Sequence, residues 1–342
     1  MLKPVQLGKS GLQVSQLCLG TLNFGVPGQG NQGDWTLPAD EAREILRAAV
    51  DHGLFYFDCA NAYGTGACEE VVGQLLREML PRDEYVLTTK IAAPMGGHPN
   101  MGGLSRKHII EGMDRSLRRL GLDYVDQLII HRHPHALPWS VAAPIEETME
   151  ALNDLVRAGK VMYLGASSMF AWQFAELQMT AEHHGWARFI SMQNHYNLIY
   201  REEEREMIPY CDLTGVGLTP WSPLARGILA GAYQGSFDAG STSRSTGSDR
   251  QRTEGLYRGE NDFLIADRLV KIAAKYGKTP AQMAIAWLLS KPAVSAPVVG
   301  VSQIPQLLDL IAATDITLES DDIAYLEELY RPLENLLSLG IS

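Results

Sequence analysis

Short apolar runs alternate with longer amphipathic segments along most of the chain. Runs rich in β-branched and aromatic residues predict buried strands, and they lie at 18–25, 54–60, 86–92, 125–131, 160–168, 189–194, 216–222 and 296–302. Between these runs, apolar residues recur at helical spacing. In 39–52, for example, one helix face carries Ala42, Ile45, Leu46, Ala49 and Val50. The pattern therefore predicts a regular alternation of strands and helices.

The spacing of the strand ends predicts the architecture. The ends fall near residues 21, 58, 90, 131, 167, 193, 221 and 300, and most intervals between them hold one strand and one helix. Eight such units favour the α/β class and a (β/α)8 TIM barrel, with 1–342 forming a single domain. A doubly wound open sheet is the alternative. However, the first strand leads into LGTLNFG, which lacks the GxGxxG phosphate loop of that fold.

The interval before the last strand is longer than the others. Residues 231–260 within it are rich in Gly, Ser and Thr and show no apolar period. Long insertions of this kind in a compact domain are commonly lids or disordered segments. We therefore expect a flexible loop after strand seven, on the rim where barrel active sites lie.

Composition and charge exclude several classes of protein. The chain has 342 residues, of which 46% are hydrophobic and 20% charged, as in a folded globular protein. A net charge of −11 without a basic run argues against nucleic-acid or anionic-membrane partners. No apolar run is long enough for a membrane span or a signal peptide. The four cysteines form no CxxC, which indicates reduced thiols, no structural zinc and a cytoplasmic location. The oligomeric state stays open.

Four ionisable residues fall where a barrel places its chemistry. Asp58, Lys90 and His131 end the second, third and fourth strands, and Tyr63 lies in the loop after Asp58. Each alone is more often structural, and only the four together indicate a catalytic site. A neighbouring ammonium favours the phenolate of a tyrosine. We expect Lys90, held by Asp58, to lower the pKa of Tyr63, which then protonates a carbonyl oxygen oriented by His131.

Several long segments carry a family resemblance. FDCANAYGTGACEEVVGQLL at 57–76 resembles the FDTAxxYGxxxxExxxGxxL signature of the aldo-keto reductases, and LSRKHIIEGMDRSLRRLGLDYVDQLIIH at 104–131 resembles their second signature. GASSM at 165–169, MQNHYN at 192–197 and PWSPLARGIL at 220–229 are similar to further family segments. The resemblance covers nearly the whole chain. It implies an enzyme that reduces aldehydes or ketones to alcohols with a nicotinamide cofactor, bound across the barrel mouth without a Rossmann domain.

The resemblance also implies roles for individual residues. Asp58, Tyr63, Lys90 and His131 match the family's catalytic tetrad. The implied cofactor contacts are Gly20, Thr21, Ser167, Gln193, Trp221, Ser222, Leu224, Arg226, Gly300, Ser302, Gln306 and Asp309.

The sequence departs from the family at the adenosine end. Many members carry basic residues after strand eight, but VVGVSQIPQLLDLI here has none, and Leu310 stands where asparagine is common. A ribose phosphate favours Arg or Lys partners. We expect NADPH on family grounds, with NADH as the alternative. Substitutes for the missing cations are Arg226, Arg244, Arg250 and Arg252.

The substrate and two other functions are left open at this stage. We expect a small carbonyl compound, bound between Trp35, Met95, Trp139 and the neighbourhood of His133, with HRHPH at 131–135 forming a solvated rim and not a metal site. One alternative is a Schiff-base lyase, which would need Lys90 to be free of Asp58. The other is a cofactor-binding regulatory subunit resembling potassium-channel β subunits.

Overall fold

The computed structural model describes residues 2–30, 32–136, 142–233, 235–239, 250–257, 259 and 261–332. The chain begins with an antiparallel hairpin of β1 (Pro4–Gln6) and β2 (Gln13–Ser15). Gly8 in its turn has a φ of +59°, and a Cβ there would collide with the backbone of Gly217. The hairpin therefore packs directly against the start of a later strand.

Eight parallel strands form the central sheet. Their order is β10-β3-β4-β5-β6-β7-β8-β9, and every neighbouring pair is parallel. The Val298 N–H donates to the Pro220 oxygen at 2.8 Å, and Leu218 pairs with Val294, which joins the two ends of the sheet. The strands are β3 (Cys18–Gly20), β4 (Tyr56–Asp58), β5 (Val86–Ile91), β6 (Val125–Ile130), β7 (Val161–Ser167), β8 (Phe189–Gln193), β9 (Gly217–Leu218) and β10 (Val298–Val299).

The predicted (β/α)8 TIM barrel is confirmed. Strands β3 to β10 are its first to eighth strands, and each ends within a few residues of the position expected from the sequence. The described helices are α1 (Ala39–Asp51), α2 (Ala67–Met79), α3 (Arg106–Leu120), α4 (Ile145–Arg157), α5 (Ala171–His184), α6 (Met207–Thr214), α7 (Arg250–Leu256), α8 (Asp262–Tyr276), α9 (Pro280–Leu289), α10 (Ile304–Ala312) and α11 (Ser320–Glu327).

Local sequence explains where the helices begin and which face they bury. On α1 the predicted apolar face lies in the core, with Ala42, Ile45, Leu46 and Ala49 all buried. Ser105 accepts a hydrogen bond from the His108 N–H and caps α3, as its position predicts. All four cysteines are free and buried.

The segment after strand seven differs from its expected irregular structure. Within 231–260, α7 spans Arg250–Leu256, and both Thr253 and Tyr257 are buried. A short helix of this kind is hidden from sequence analysis because it is fixed by packing on the barrel and not by an apolar stripe. Residues 234, 240–249, 258 and 260 of this segment lie outside the described residues, so its flexibility stays a prediction.

No helix in the described ranges is both long and apolar enough to cross a bilayer. Over the same ranges, no three His, Cys, Asp or Glu side chains gather in a way that could hold a metal ion.

Candidate active site

A buried ion pair forms the centre of the barrel mouth. Asp58 ends β4 and Lys90 lies near the end of β5, on the neighbouring strand. The Lys90 ammonium donates to Asp58 Oδ2, and both side chains are almost completely shielded from solvent. A second donation runs from Lys90 to the Cys59 oxygen at 3.0 Å. The lysine is thereby fixed in place at the strand ends.

Two further donors hold the Asp58 carboxylate. Thr88 Oγ1 donates to its Oδ1 at 2.7 Å, and Gln193 Nε2 donates to the same oxygen at 3.0 Å. Each of the three groups around Asp58 is therefore a donor, which suits an ionised carboxylate that only accepts.

Tyr63 and His131 complete the group of four. Tyr63 lies in the 3₁₀ turn Tyr63–Gly66 that follows β4, and its hydroxyl accepts a hydrogen bond from Lys90 Nζ at 3.2 Å. The rings of Tyr63 and His131 meet edge to face with centroids 6.0 Å apart. The structure thus brings all four sequence-predicted residues into one constellation.

The pKa of Tyr63 corrects one expectation. Burial raises this pKa above its usual value of 10, and although Lys90 lowers it, the ammonium does not reverse the shift. The Asp58 charge also raises the pKa of Tyr63, as burial does. Asp58 can therefore favour the phenolate only indirectly, by holding Lys90 in place. For Lys90, burial lowers the pKa but the Asp58 carboxylate and Tyr63 raise it more. The site therefore holds a charged ammonium beside a protonated phenol.

His131 is a neutral imidazole in this setting. Burial holds its pKa well below the usual 6.5, and the positive charges of Lys90, Arg132 and Arg252 add to the effect. A neutral ring has one N–H donor and one acceptor nitrogen. It can therefore donate a hydrogen bond to a carbonyl oxygen at neutral pH.

An aromatic stack lies at the end of the seventh strand. The half-buried Trp221 ring lies parallel to the His195 ring, with centroids 4.1 Å apart, and Tyr200 stacks on the same histidine at 4.1 Å. The Trp221 indole N–H donates to Ser168 Oγ at 2.9 Å, and Ser168 contacts Ser167 Oγ at 3.2 Å. The indole is thereby fixed in orientation, as a platform for a flat ring requires.

The loop after Trp221 has an unusual backbone. Ser222, Ala225, Arg226 and Gly227 all adopt positive φ angles, of 53°, 46°, 56° and 104°. Such conformations cost of order 1–3 kcal/mol each for residues other than glycine, and they cluster at ligand-binding sites. Runs of this kind turn successive N–H groups to one side and form concave anion sites. Leu224 lies half-buried in this loop.

The first strand approaches the eighth closely. A Cβ on Gly20 would lie 2.7 Å from Val298 Cγ1, so only glycine fits there without displacing a neighbour. Thr21 Oγ1 donates to the Asp58 backbone oxygen at 2.9 Å and contacts Cys68 Sγ, which ties the threonine to the ion-pair strand. These contacts hold the first strand closely between the eighth strand and the strand that carries Asp58.

Comparison with known proteins places the chain in a family. The model of the Aldo/keto reductase family matches residues 16–331. A Schizosaccharomyces pombe protein named as an aryl-alcohol dehydrogenase is 44% identical over 96% of this chain and 95% of its own length. The versiconal hemiacetal acetate reductase of Aspergillus parasiticus is 42% identical over 96% of each chain. This chain belongs to the aldo/keto reductase family. It is therefore an oxidoreductase, as the resemblance implied.

In this aldo/keto reductase, the side chains expected at the adenosine end of the cofactor are polar and uncharged apart from one carboxylate. Gly300, Ser302 and Gln306 are exposed, and Gln306 Oε1 accepts from the Ser302 N–H at 2.9 Å. Asp309 accepts from Thr279 Oγ1 at 2.6 Å, so it also braces the start of α9. Leu310 is buried in the core and cannot stand in for the family asparagine.

Among the arginines expected to replace the missing cations, two are engaged with protein groups. Arg250 pairs with Asp238 and Glu254, and Arg226 Nε donates to Thr253 Oγ1 at 3.0 Å. Arg252 forms no hydrogen bond or ion pair with the described part of the chain. Arg244 lies outside the described residues.

The residues expected to line the substrate pocket agree only in part with the prediction. Trp35 and Met95 are half-buried on the rim, whereas Trp139 lies outside the described residues. The expectation of a solvated rim is wrong for His133, which is fully buried next to the Trp172 ring, and burial lowers its pKa to about 4. The aromatic helix α5 covers this histidine, and sequence spacing does not show that contact.

Sequence reasoning missed two groups that the geometry places at the mouth. His195 lies between Trp221 and Tyr200, and burial lowers its pKa to about 3. Its segment, MQNHYN, resembles a family segment, but the resemblance assigned the histidine no role. The other group is Arg132, which follows His131 and is half-buried. Ser168, which the resemblance implied as a possible partner of Ser167 at the cofactor, instead orients the Trp221 indole.

Proposed function

We propose that this protein reduces an aldehyde or ketone to the alcohol with NADPH, or NADH as the alternative, and that Tyr63 donates the proton. One observation carries the proposal: the Lys90 ammonium contacts both the buried Asp58 carboxylate and the Tyr63 hydroxyl, beside the His131 ring. Because relatives are named for aryl-alcohol and hemiacetal acetate chemistry, aromatic aldehydes are the first substrates to test.

Residues on strands five to eight would hold the cofactor. Trp221 would stack on the nicotinamide ring, while Ser167 and Gln193 would hydrogen-bond its carboxamide. Arg226 and the 222–227 backbone would face the phosphates. When bound, the reduced nicotinamide supplies the hydride for the carbonyl carbon.

The four central residues would manage the proton. Since the Tyr63 oxygen accepts a hydrogen bond from Lys90, its own O–H is free to donate to the substrate oxygen. As the proton leaves, the ammonium 3.2 Å away stabilises the developing phenolate. His131, as a neutral donor, would orient the carbonyl oxygen. Asp58 would keep Lys90 charged and in position.

The same geometry disfavours the lyase alternative. A Schiff-base lysine must be neutral to attack a carbonyl. Lys90 is desolvated, but Asp58 and Tyr63 raise its pKa, so it stays protonated. The regulatory alternative is compatible with the same residues and requires a functional test.

The experiment combines binding with turnover. Quenching of protein fluorescence by NADPH and by NADH, compared between the parent and Trp221→Phe, reports binding and preference. Oxidation of the cofactor in the presence of 4-nitrobenzaldehyde, with equimolar alcohol formed, supports the proposal. Tight binding without turnover of any carbonyl would favour the regulatory role. A covalent lysine adduct after borohydride trapping would favour the lyase.

A further inference from the structure

Arg132 lies beside the proposed catalytic residues without an acidic partner. It follows His131 at the end of β6, and its Nη1 donates to the His131 backbone oxygen at 2.6 Å. The side chain is half-buried, and within the described residues no carboxylate lies within ion-pair distance of it. Its pKa is lowered, chiefly by burial, while Tyr63 opposes the shift. The guanidinium is therefore close to the phenol and partly removed from water.

A second arginine, on α7, acts electrostatically on the same groups. Arg252 is exposed and has no hydrogen bond or ion pair within the described ranges, in contrast to Arg250 on the same helix, which pairs with Asp238 and Glu254. Arg252 lowers the pKa of both His131 and Arg132. Two cations thus act on the imidazole that would orient the carbonyl.

This arrangement is unusual for such an acidic chain. The net charge is −11, so carboxylates are abundant, yet none neutralises these two guanidinium groups in the described part of the chain. For Arg132, which is half-buried, holding an uncompensated charge in a partly desolvated position is unfavourable. A ligand anion would remove that cost, and arginine is suited to binding carboxylates in a bidentate manner.

The position of Arg132 separates it from the proposed cofactor groups. Arg132 follows β6, the fourth strand, whereas Trp221 and Arg226 follow β9, the seventh. The strand order places β7 and β8 between them. The cofactor phosphates are therefore assigned to the far side of the mouth. The anion that meets Arg132 belongs on the substrate side, next to His131.

We propose that Arg132, together with Arg252, binds a carboxylate carried by the carbonyl substrate, so that the preferred substrates are oxo-acids such as carboxylated aldehydes. This inference rests on the proposed function. The carboxylate would fix the far end of the substrate while Tyr63 and His131 engage its carbonyl oxygen. Two guanidinium groups would also draw anionic substrates towards the mouth of an otherwise acidic protein.

A matched pair of aldehydes tests the inference. The two substrates are 4-carboxybenzaldehyde and 4-formylbenzamide, which has nearly the same shape and no charge, and kcat/KM is measured for each. We expect the parent to favour the carboxylate, and to lose that preference as salt is added. Arg132→Gln should lower the carboxylate-to-amide ratio by about tenfold or more, and Arg252→Gln should lower it less, because that side chain is exposed.

The control is Arg157→Gln, an exposed arginine at the end of α4 on the opposite side of the barrel from the mouth. Its ratio should equal that of the parent. Unchanged ratios in both mouth variants, or a parent that prefers the amide, would overturn the inference while leaving the proposed reductase intact. Absence of turnover with both aldehydes, while 4-nitrobenzaldehyde is reduced, would also overturn the inference, whereas absence of turnover with all three would overturn the reductase itself. If Arg132→Gln does not fold, Arg252→Gln decides.

Discussion

The Asp58–Lys90 ion pair is the place where a single isosteric substitution should be most damaging. Asp58 receives three donors, from Lys90, Thr88 and Gln193. In Asp58→Asn, an NH₂ group replaces one acceptor oxygen and faces donors, while the buried ammonium loses its counter-charge. Removing one partner of a buried ion pair costs about 3–5 kcal/mol. For a domain of this size that corresponds to a fall of roughly 4–7 °C in melting temperature.

Thermal unfolding followed by circular dichroism measures this effect. The series is the parent, Asp58→Asn, Lys90→Met and the double variant. The double variant leaves no uncompensated charge. Its decrease in the free energy of unfolding should therefore be smaller than the sum of the two single-variant decreases, by about 1–3 kcal/mol. Glu78→Gln is the control, since it removes an exposed ion pair with Arg43 and should leave the melting temperature unchanged.

Two results would refute the reasoning. One is an Asp58→Asn protein that melts at the same temperature as the parent. The other is a double variant whose loss equals the sum of the single losses, because that would mean that the two charges do not stabilise each other. Either result would remove the basis for treating Lys90 as a lysine fixed and held charged by Asp58.

Three further predictions concern the pH dependence of activity, the pH dependence of stability and the effect of adding a methyl group at two glycines. Because the pKa of Tyr63 is raised and that of His131 is lowered, reductive kcat/KM should stay level between about pH 6.5 and 9; a midpoint near pH 7 in that profile contradicts these assignments. His195 has a pKa of about 3 in the folded protein and ~6.5 in the unfolded chain, so below pH ~6.5 the unfolded state binds more protons. The free energy of unfolding of the parent, measured by urea titration relative to His195→Phe, should therefore decrease as the pH falls through this range. Gly20→Ala should lower the free energy of unfolding by about 1–3 kcal/mol, because its methyl group would collide with Val298. Gly300→Ala should lower it far less, because its methyl group would have its nearest neighbour 3.9 Å away. Equal decreases in the two variants would contradict this prediction.

The sequence was sufficient to predict the barrel because most neighbouring strands are separated by one helix. The strand ends then located Asp58, Lys90 and His131, since parallel strands of a barrel deliver their C-terminal residues to one mouth. The loop residue Tyr63 followed from its distance to Asp58 along the chain. Those positions needed no knowledge of side-chain contacts.

Other features depend on competition between forces, which only geometry resolves. The sign of the Tyr63 pKa shift is decided by burial against the Lys90 charge, and both quantities require a structure. The burial of His133 under α5 and the packing of α7 through Thr253 involve residues far apart in sequence. The lack of an acidic partner for Arg132 in the described chain also becomes visible only when its neighbours are known.

A comparison of Tyr63→Phe with the parent tests directly whether Tyr63 donates the proton. This change removes the hydroxyl that contacts Lys90 and keeps the ring against His131. With 4-nitrobenzaldehyde as substrate, we expect kcat/KM to fall by about 10²–10⁴-fold, with the dissociation constant for NADPH unchanged. A variant that reduces the aldehyde as fast as the parent, while binding the cofactor equally well, would contradict the role of Tyr63 as proton donor.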